Sequence, residues 1–127
     1  MKTEFYRCEM CGNVIVKVMD SGVQVECCGE TMEKLVPQTA EAGMEKHLPV
    51  VTCLGEDMYK VEVGSVPHPM LDEHFIQFIY LETAKGGQIA YLRPGDQPSV
   101  VFRSSEKPTA VYEYCNMHGL WMTTVKK

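Results

Sequence analysis

Tyr112-Glu113-Tyr114-Cys115-Asn116-Met117-His118-Gly119-Leu120-Trp121 sets a thiol and an imidazole two intervening residues apart, in a turn between two β-like runs. Asn116 and Gly119 are turn formers, and the aromatic and β-branched residues on either side read as a strand and its return. Such a turn can hold both side chains on one small centre. A thiolate is a soft, strongly donating ligand, and imidazole suits iron, copper or zinc. A Cys-x-x-His pair alone equally describes a buried thiol beside a half-exposed histidine at an ordinary strand end. The chain has only three other histidines, His47, His68 and His74, and each stands next to turn or proline signals where ligands could converge.

Working outward from that hairpin, turn signals recur at Gly55-Glu56-Asp57, Pro67-His68-Pro69, Lys85-Gly86-Gly87, Arg93 to Asp96 and Ser104 to Pro108. Between them lie strand-like runs: Val50 to Leu54, Tyr59 to Val63, Phe75 to Leu81, Ile89 to Leu92, Val100 to Arg103, Ala110 to Tyr114 and Leu120 to Val125. Seven short strands with even punctuation predict an antiparallel β-sandwich of immunoglobulin-like type over residues 38–127. No helix-period segment competes. Loops at one end of a rigid sandwich can converge although far apart in sequence, which would bring His47, His68 and His74 to the Cys115/His118 turn. Pro67 and Pro69 stiffen the backbone around His68 and lower the entropy lost when its ring is fixed. Cys53, in an apolar run, is expected to be a buried packing thiol, and Trp121 to pack in the core.

Residues 1–37 form the second part of the plan. Cys8-Glu9-Met10-Cys11-Gly12 is a metal knuckle in form, since the two-residue spacer lets both sulfurs face one ion and Gly12 permits the tight turn. Val14 to Val18 reads as a strand, Asp20-Ser21-Gly22 as its turn and Val23 to Val25 as the returning strand, delivering Cys27 and Cys28 beside the knuckle. Zinc and iron are both compatible with four thiolates, and the adjacent pair departs from the usual zinc-ribbon spacing. A segment this short buries too little to fold alone, so the metal would contribute roughly 10 kcal/mol or more to its order. Pro37 to Gly43 is the expected linker between the two parts.

Composition bounds the function. With 127 residues, 45% of them apolar, the chain can bury one ordinary core and a small appendage. Neither a secretion signal nor an apolar run long enough to span a bilayer is present, so a soluble cytoplasmic protein with no membrane partner is expected. In a reducing compartment six cysteines argue for metal ligation over disulfides. A net charge of −5 without a basic face argues against nucleic acid.

Taken together, Cys8, Cys11, Cys27 and Cys28, then Glu45-Lys46-His47, His68 with His74 six residues on, and Cys115-Asn116-x-His118-Gly119 resemble the desulfoferrodoxins, the two-iron form of superoxide reductase. The resemblance covers nearly the whole chain and no ligand of the pattern is missing. It implies a desulforedoxin-like four-cysteine iron domain followed by a superoxide reductase β-sandwich, with two non-haem irons per chain. The second iron would take His47, His68, His74 and His118 roughly in a plane and the Cys115 sulfur on one axis. The implied reaction is one-electron reduction of superoxide to hydrogen peroxide without oxygen evolution, using an external donor such as rubredoxin. Lys46 would steer the anion and hydrogen-bond the bound product, Glu45 would supply a carboxylate to the oxidised site, and a homodimer is implied. Two readings of the residues compete: a cupredoxin-type electron carrier, in which Cys115, His118 and Met122, with His47, His68 or His74 as a further imidazole, would hold copper, and a redox-inactive protein with two zinc sites.

Overall fold

The computed structural model describes residues 3–40, 47–64 and 68–125. The chain divides into two compact units, Met1–Val36 and Pro37–Lys127. Among the described residues all regular structure is β, and no helix is long and apolar enough to cross a membrane.

In the first unit β1 (Phe5–Arg7) lies between β2 (Val14–Val16) and β5 (Glu33–Lys34), while β3 (Glu26–Cys27) and β4 (Glu30–Thr31) make a separate hairpin. The expected pairing of Val14 to Val18 with Val23 to Val25 is not made. Val14, Ile15 and Val16 pair with Arg7, Tyr6 and Phe5 instead, and residues 23–25 are irregular. β2 takes its ladder bonds from β1, and the loop after it is closed instead by Lys17 Nζ, which reaches Asp20 at 2.7 Å and the Val23 carbonyl at 3.1 Å. The buried apolar residues described here are Phe5, Cys8 and Met32, too few for a core of ordinary size.

The second unit is the seven-stranded sandwich: β6 (Pro49–Gly55), β7 (Met58–Val63), β8 (Ile76–Thr83), β9 (Gly86–Tyr91), β10 (Ser99–Arg103), β11 (Pro108–Cys115) and β12 (Gly119–Thr124). One sheet has the order β10-β7-β6, the other β12-β11-β8-β9, and every pairing is antiparallel. Alternation sends Val61 and Val63 of β7, Phe102 of β10, Ile79 and Leu81 of β8, and Val111 and Cys115 of β11 into one core between the layers. Each fully buried aliphatic side chain stabilises the sandwich by about 1.5–3 kcal/mol. On the other face of β8 and β11, Phe78 stacks on Tyr114 with ring centroids 5.6 Å apart.

Two elements depart from expectation. Cys53 is exposed, not buried. It lies near the end of β6, which is the margin of its sheet, just before the register slips between Cys53 and Gly55, so the strand is leaving the core at that point. Within the predicted linker, Gln38 is built into the sandwich, bridged in parallel to Trp121 through Gln38 N to Leu120 O (3.0 Å) and Met122 N to Gln38 O (2.9 Å).

Candidate metal centres

In the first unit the knuckle closes on itself: Cys8 N donates to Asn13 O at 2.8 Å and Gly12 N to Cys8 O at 2.9 Å, with Gly12 at φ +84°. The vicinal pair arises from a hairpin. Glu26 and Cys27 pair with Thr31 and Glu30, leaving Cys28 and Gly29 as a two-residue connection with φ of 55° and 77°. Positive φ at both central positions is the turn that matches strand twist, and a non-glycine residue there costs about 1 kcal/mol. Cys28 is thereby swung to the same side as Cys27, and the sulfurs of Cys8, Cys11, Cys27 and Cys28 all lie within 4.8 Å of one another.

That cluster is built for a cation. Backbone amides at Cys11 and Met10 pull the Cys8 thiol down to about 7, whereas the neighbouring thiols Cys11 and Cys27 push Cys28 up to about 12. The first negative charge is thus easily held. The last requires a positive ion among the sulfurs.

In the second unit five donors from four places in the chain converge. His47 precedes β6. His68 precedes Pro69. His74 closes the turn from Leu71, with Leu71 N to His74 O at 2.9 Å and the return bond at 3.1 Å. Cys115 ends β11 at a register irregularity, and His118 lies in the loop closed by the Cys115–Gly119 pair, with Gly119 at φ +83°. The ligand atoms of all five lie within 4.8 Å of one another.

The four imidazoles form a closed ring in chain order. Centroid distances are 4.8 Å from His47 to His68, 4.9 Å from His68 to His74, 4.9 Å from His74 to His118 and 4.7 Å from His118 to His47, with interplanar angles of 70–83°. His47 Nε2 stands 3.0 Å from His118 Nδ1, and the Cys115 sulfur 3.8 Å from the same Nδ1. A carbonyl only accepts, so the 2.7 Å contact from His68 Nδ1 to Pro69 O puts the proton on Nδ1 and leaves a lone pair on Nε2. That Nε2 is buried and has no hydrogen-bond partner among the described residues. Burial, the largest influence, lowers His68 to about 4, so the ring is neutral at physiological pH.

Burial pushes the Cys115 thiol up, backbone amides at Met117 and His118 oppose this, and Glu113, fully buried two residues earlier, adds to the rise. A thiolate in that position therefore also calls for a cation. A neutral buried imidazole with an unused lone pair, three more imidazoles around it and one soft sulfur fit a redox-active first-row metal such as iron.

Glu45 and Lys46 lie outside the described residues. Three residues that the sequence did not link to the ring support it. Asn116 Oδ1 accepts from Phe75 N at 2.9 Å and its Nδ2 donates to Glu73 O at 3.0 Å, so one amide grips the backbone on both sides of His74. Trp121, buried as expected, also lies flat on the His47 ring. Gln38 donates to the His118 carbonyl at 2.8 Å. Asn116 was legible as a turn former, but nothing in the sequence marks Gln38.

Asn116→Ala is expected to lower stability by about 1 kcal/mol and to weaken metal retention by roughly 10-fold, measured by competition with a chelator, with Asn116→Asp intermediate. Retention equal to that of the unaltered chain would show that the grip on Glu73 and Phe75 does not set the His74 position.

Comparison with known proteins gives two family matches: residues 39–124 match desulfoferrodoxin, and residues 1–35 match the desulfoferrodoxin N-terminal domain. The chain is 42% identical over 120 residues to a desulfoferrodoxin of Syntrophotalea carbinolica, covering 94% of each chain. Its fold matches a crystal structure of the superoxide reductase from Treponema pallidum with a TM-score of 0.82 and 31% identity, covering 97% of this chain and 98% of that one. A reduced-form superoxide reductase (neelaredoxin) from Archaeoglobus fulgidus matches with a TM-score of 0.57 and 30% identity, covering 70% of this chain and 95% of that one.

Proposed function

Because the chain belongs to the desulfoferrodoxin family, we propose that it is a superoxide reductase whose chemistry takes place at the ring of His47, His68, His74 and His118 with Cys115. It is an oxidoreductase that reduces superoxide to hydrogen peroxide, and it carries two non-haem iron sites. The observation that carries the reading is the closed ring of imidazoles with a buried sulfur 3.8 Å from one of them.

We assign residues 1–37 as the four-cysteine iron domain, its metal held by Cys8, Cys11, Cys27 and Cys28, and residues 38–127 as the reductase domain. Ferrous iron, held by these four imidazoles and the Cys115 thiolate, would supply the electron and a local charge of about +1 that would attract superoxide to an acidic protein. The chain's own residues do the rest. Neutral His68, fixed by Pro69 O, presents a lone pair without a proton to lose. Cys115, on rigid β11, supplies a donor whose position the hairpin fixes.

Lys46, adjacent to His47 in sequence, is assigned to steering the anion and hydrogen-bonding it on arrival. Glu45 is assigned to offering a carboxylate to the oxidised site. Lys46→Ala should slow the second-order reaction with superoxide at low ionic strength and flatten its salt dependence, whereas Glu45→Ala should leave that encounter unchanged and alter the spectrum of the oxidised protein. A Lys46→Ala rate and salt slope equal to the wild type would remove steering from its role, and an unaltered oxidised spectrum in Glu45→Ala would remove ligation from that of Glu45.

Each turnover consumes one superoxide, one external electron and two protons. The deciding assay follows from that balance: superoxide is consumed with peroxide as product and no oxygen evolved beyond spontaneous dismutation. Oxygen released in step with superoxide loss would make the protein a dismutase, and copper at Cys115 or a colourless zinc form as isolated would favour the competing readings. Rubredoxin or a similar small donor, a homodimer and a cytoplasmic location complete the proposal. They are checked by oxidation of reduced rubredoxin coupled to superoxide, by sedimentation, and by fractionation of cells.

A further inference from the structure

The His118 carbonyl accepts two side-chain hydrogen bonds, from Trp121 Nε1 at 3.2 Å and from Gln38 Nε2 at 2.8 Å. Trp121 makes a second contact with the ring of histidines. Its indole lies on the His47 imidazole with centroids 4.7 Å apart and planes 15° from parallel. His47 and His118 are neighbours in the ring, Nε2 to Nδ1 at 3.0 Å, so a single side chain touches both partners of one edge.

Each contact restrains a different freedom. A flat indole limits the tilt of the His47 ring, which lies just ahead of β6. The two donors fix the peptide after His118 and hence the loop that presents its Nδ1. Trp121 is 7% exposed, on β12 opposite Glu113, so its own position is set by the sheet. Gln38 is pinned as firmly, because its backbone is bridged to the same strand on both sides of Trp121.

We propose that Trp121 is a positioning residue for the His47–His118 edge, with Gln38 as co-donor to the His118 carbonyl, and that the pair governs how tightly and in what symmetry the five donors hold their metal. The proposal rests on the reading that these five residues bind iron. An ordinary core tryptophan would affect folding stability alone.

The chain contains a single tryptophan, so tryptophan emission, excited apart from that of the six tyrosines, comes from this edge. In the full-length wild type, loading ferrous iron into the second site is expected to quench that emission and a chelator to restore it. Trp121→Phe keeps a flat ring but removes the donor, Gln38→Ala removes the other donor, and Trp121→Leu removes stack and donor together. Expected rates of iron release to a chelator rise a few-fold for Trp121→Phe and Gln38→Ala and by about 10-fold or more for Trp121→Leu. The paramagnetic resonance spectrum of the oxidised iron should change in the same order. Because both donors share one acceptor, the Trp121→Phe/Gln38→Ala double variant should depart from the product of the single effects.

Release rates and spectra like those of the wild type in Trp121→Phe, Gln38→Ala and their double variant, with only melting temperatures lowered, would overturn the proposal and return Trp121 to packing. These milder variants decide the matter if Trp121→Leu fails to fold. Wild-type protein that shows neither quenching nor iron at the five donors would instead overturn the metal reading itself, and the proposal with it.

Discussion

Cys115→Ser is expected to abolish the thiolate-to-iron absorption band of the oxidised protein and to lower the rate of superoxide reduction by more than about 100-fold, beyond the 10- to 100-fold typical of losing a supporting contact. The thiol is fully buried among Val111, Ile76 and the other core residues, so serine also exchanges a soft apolar atom for a buried hydroxyl, at a cost of about 1–3 kcal/mol. The two effects separate by measurement. Pulse radiolysis gives the rate, metal analysis the occupancy, and thermal unfolding the stability. A variant that keeps its iron, its absorption band and its rate would place the donor elsewhere and end the reading of Cys115 as a ligand.

The second large effect concerns the first unit. Replacing Cys27 and Cys28 together with serine should remove one iron per chain and release Met1–Val36 from its fold, because Phe5, Cys8 and Met32 are the buried apolar residues described there. Metal ligation in comparably small domains contributes roughly 10 kcal/mol, which no rearrangement of so small a core replaces. Limited proteolysis should cut within residues 1–36 while the thermal transition of the sandwich and the absorption band of the second site persist. Continued amide protection of that unit without its metal would show that its strands hold by themselves.

The sandwich was legible because its strands are short, rich in β-branched and aromatic residues, and punctuated by turn formers; the seven runs read from the sequence each overlap one strand. The first unit was less so. Val23 to Val25 has strand composition, yet pairing is decided by register and by loop contacts such as Lys17 to Asp20, which propensity does not encode. Burial of Cys53 failed for a related reason: an apolar run states that a strand exists, not where it leaves the core. The nine sulfur and nitrogen donors stood out because cysteine and histidine are scarce and chemically distinctive. Their supports did not. Gln38 and Asn116 act through single amides across 80 and 41 or more positions of sequence, and such partners emerge only when the chain is folded.

The imidazoles follow one another around the ring in the order in which they occur along the chain, and the sulfur comes only with the β11–β12 hairpin. A polypeptide emerging from the ribosome therefore exposes three nitrogens long before any thiolate stands beside them. An ion met at that stage would find three imidazoles at most, and the five-donor site is complete only when the last segment of the chain that contributes to it is made.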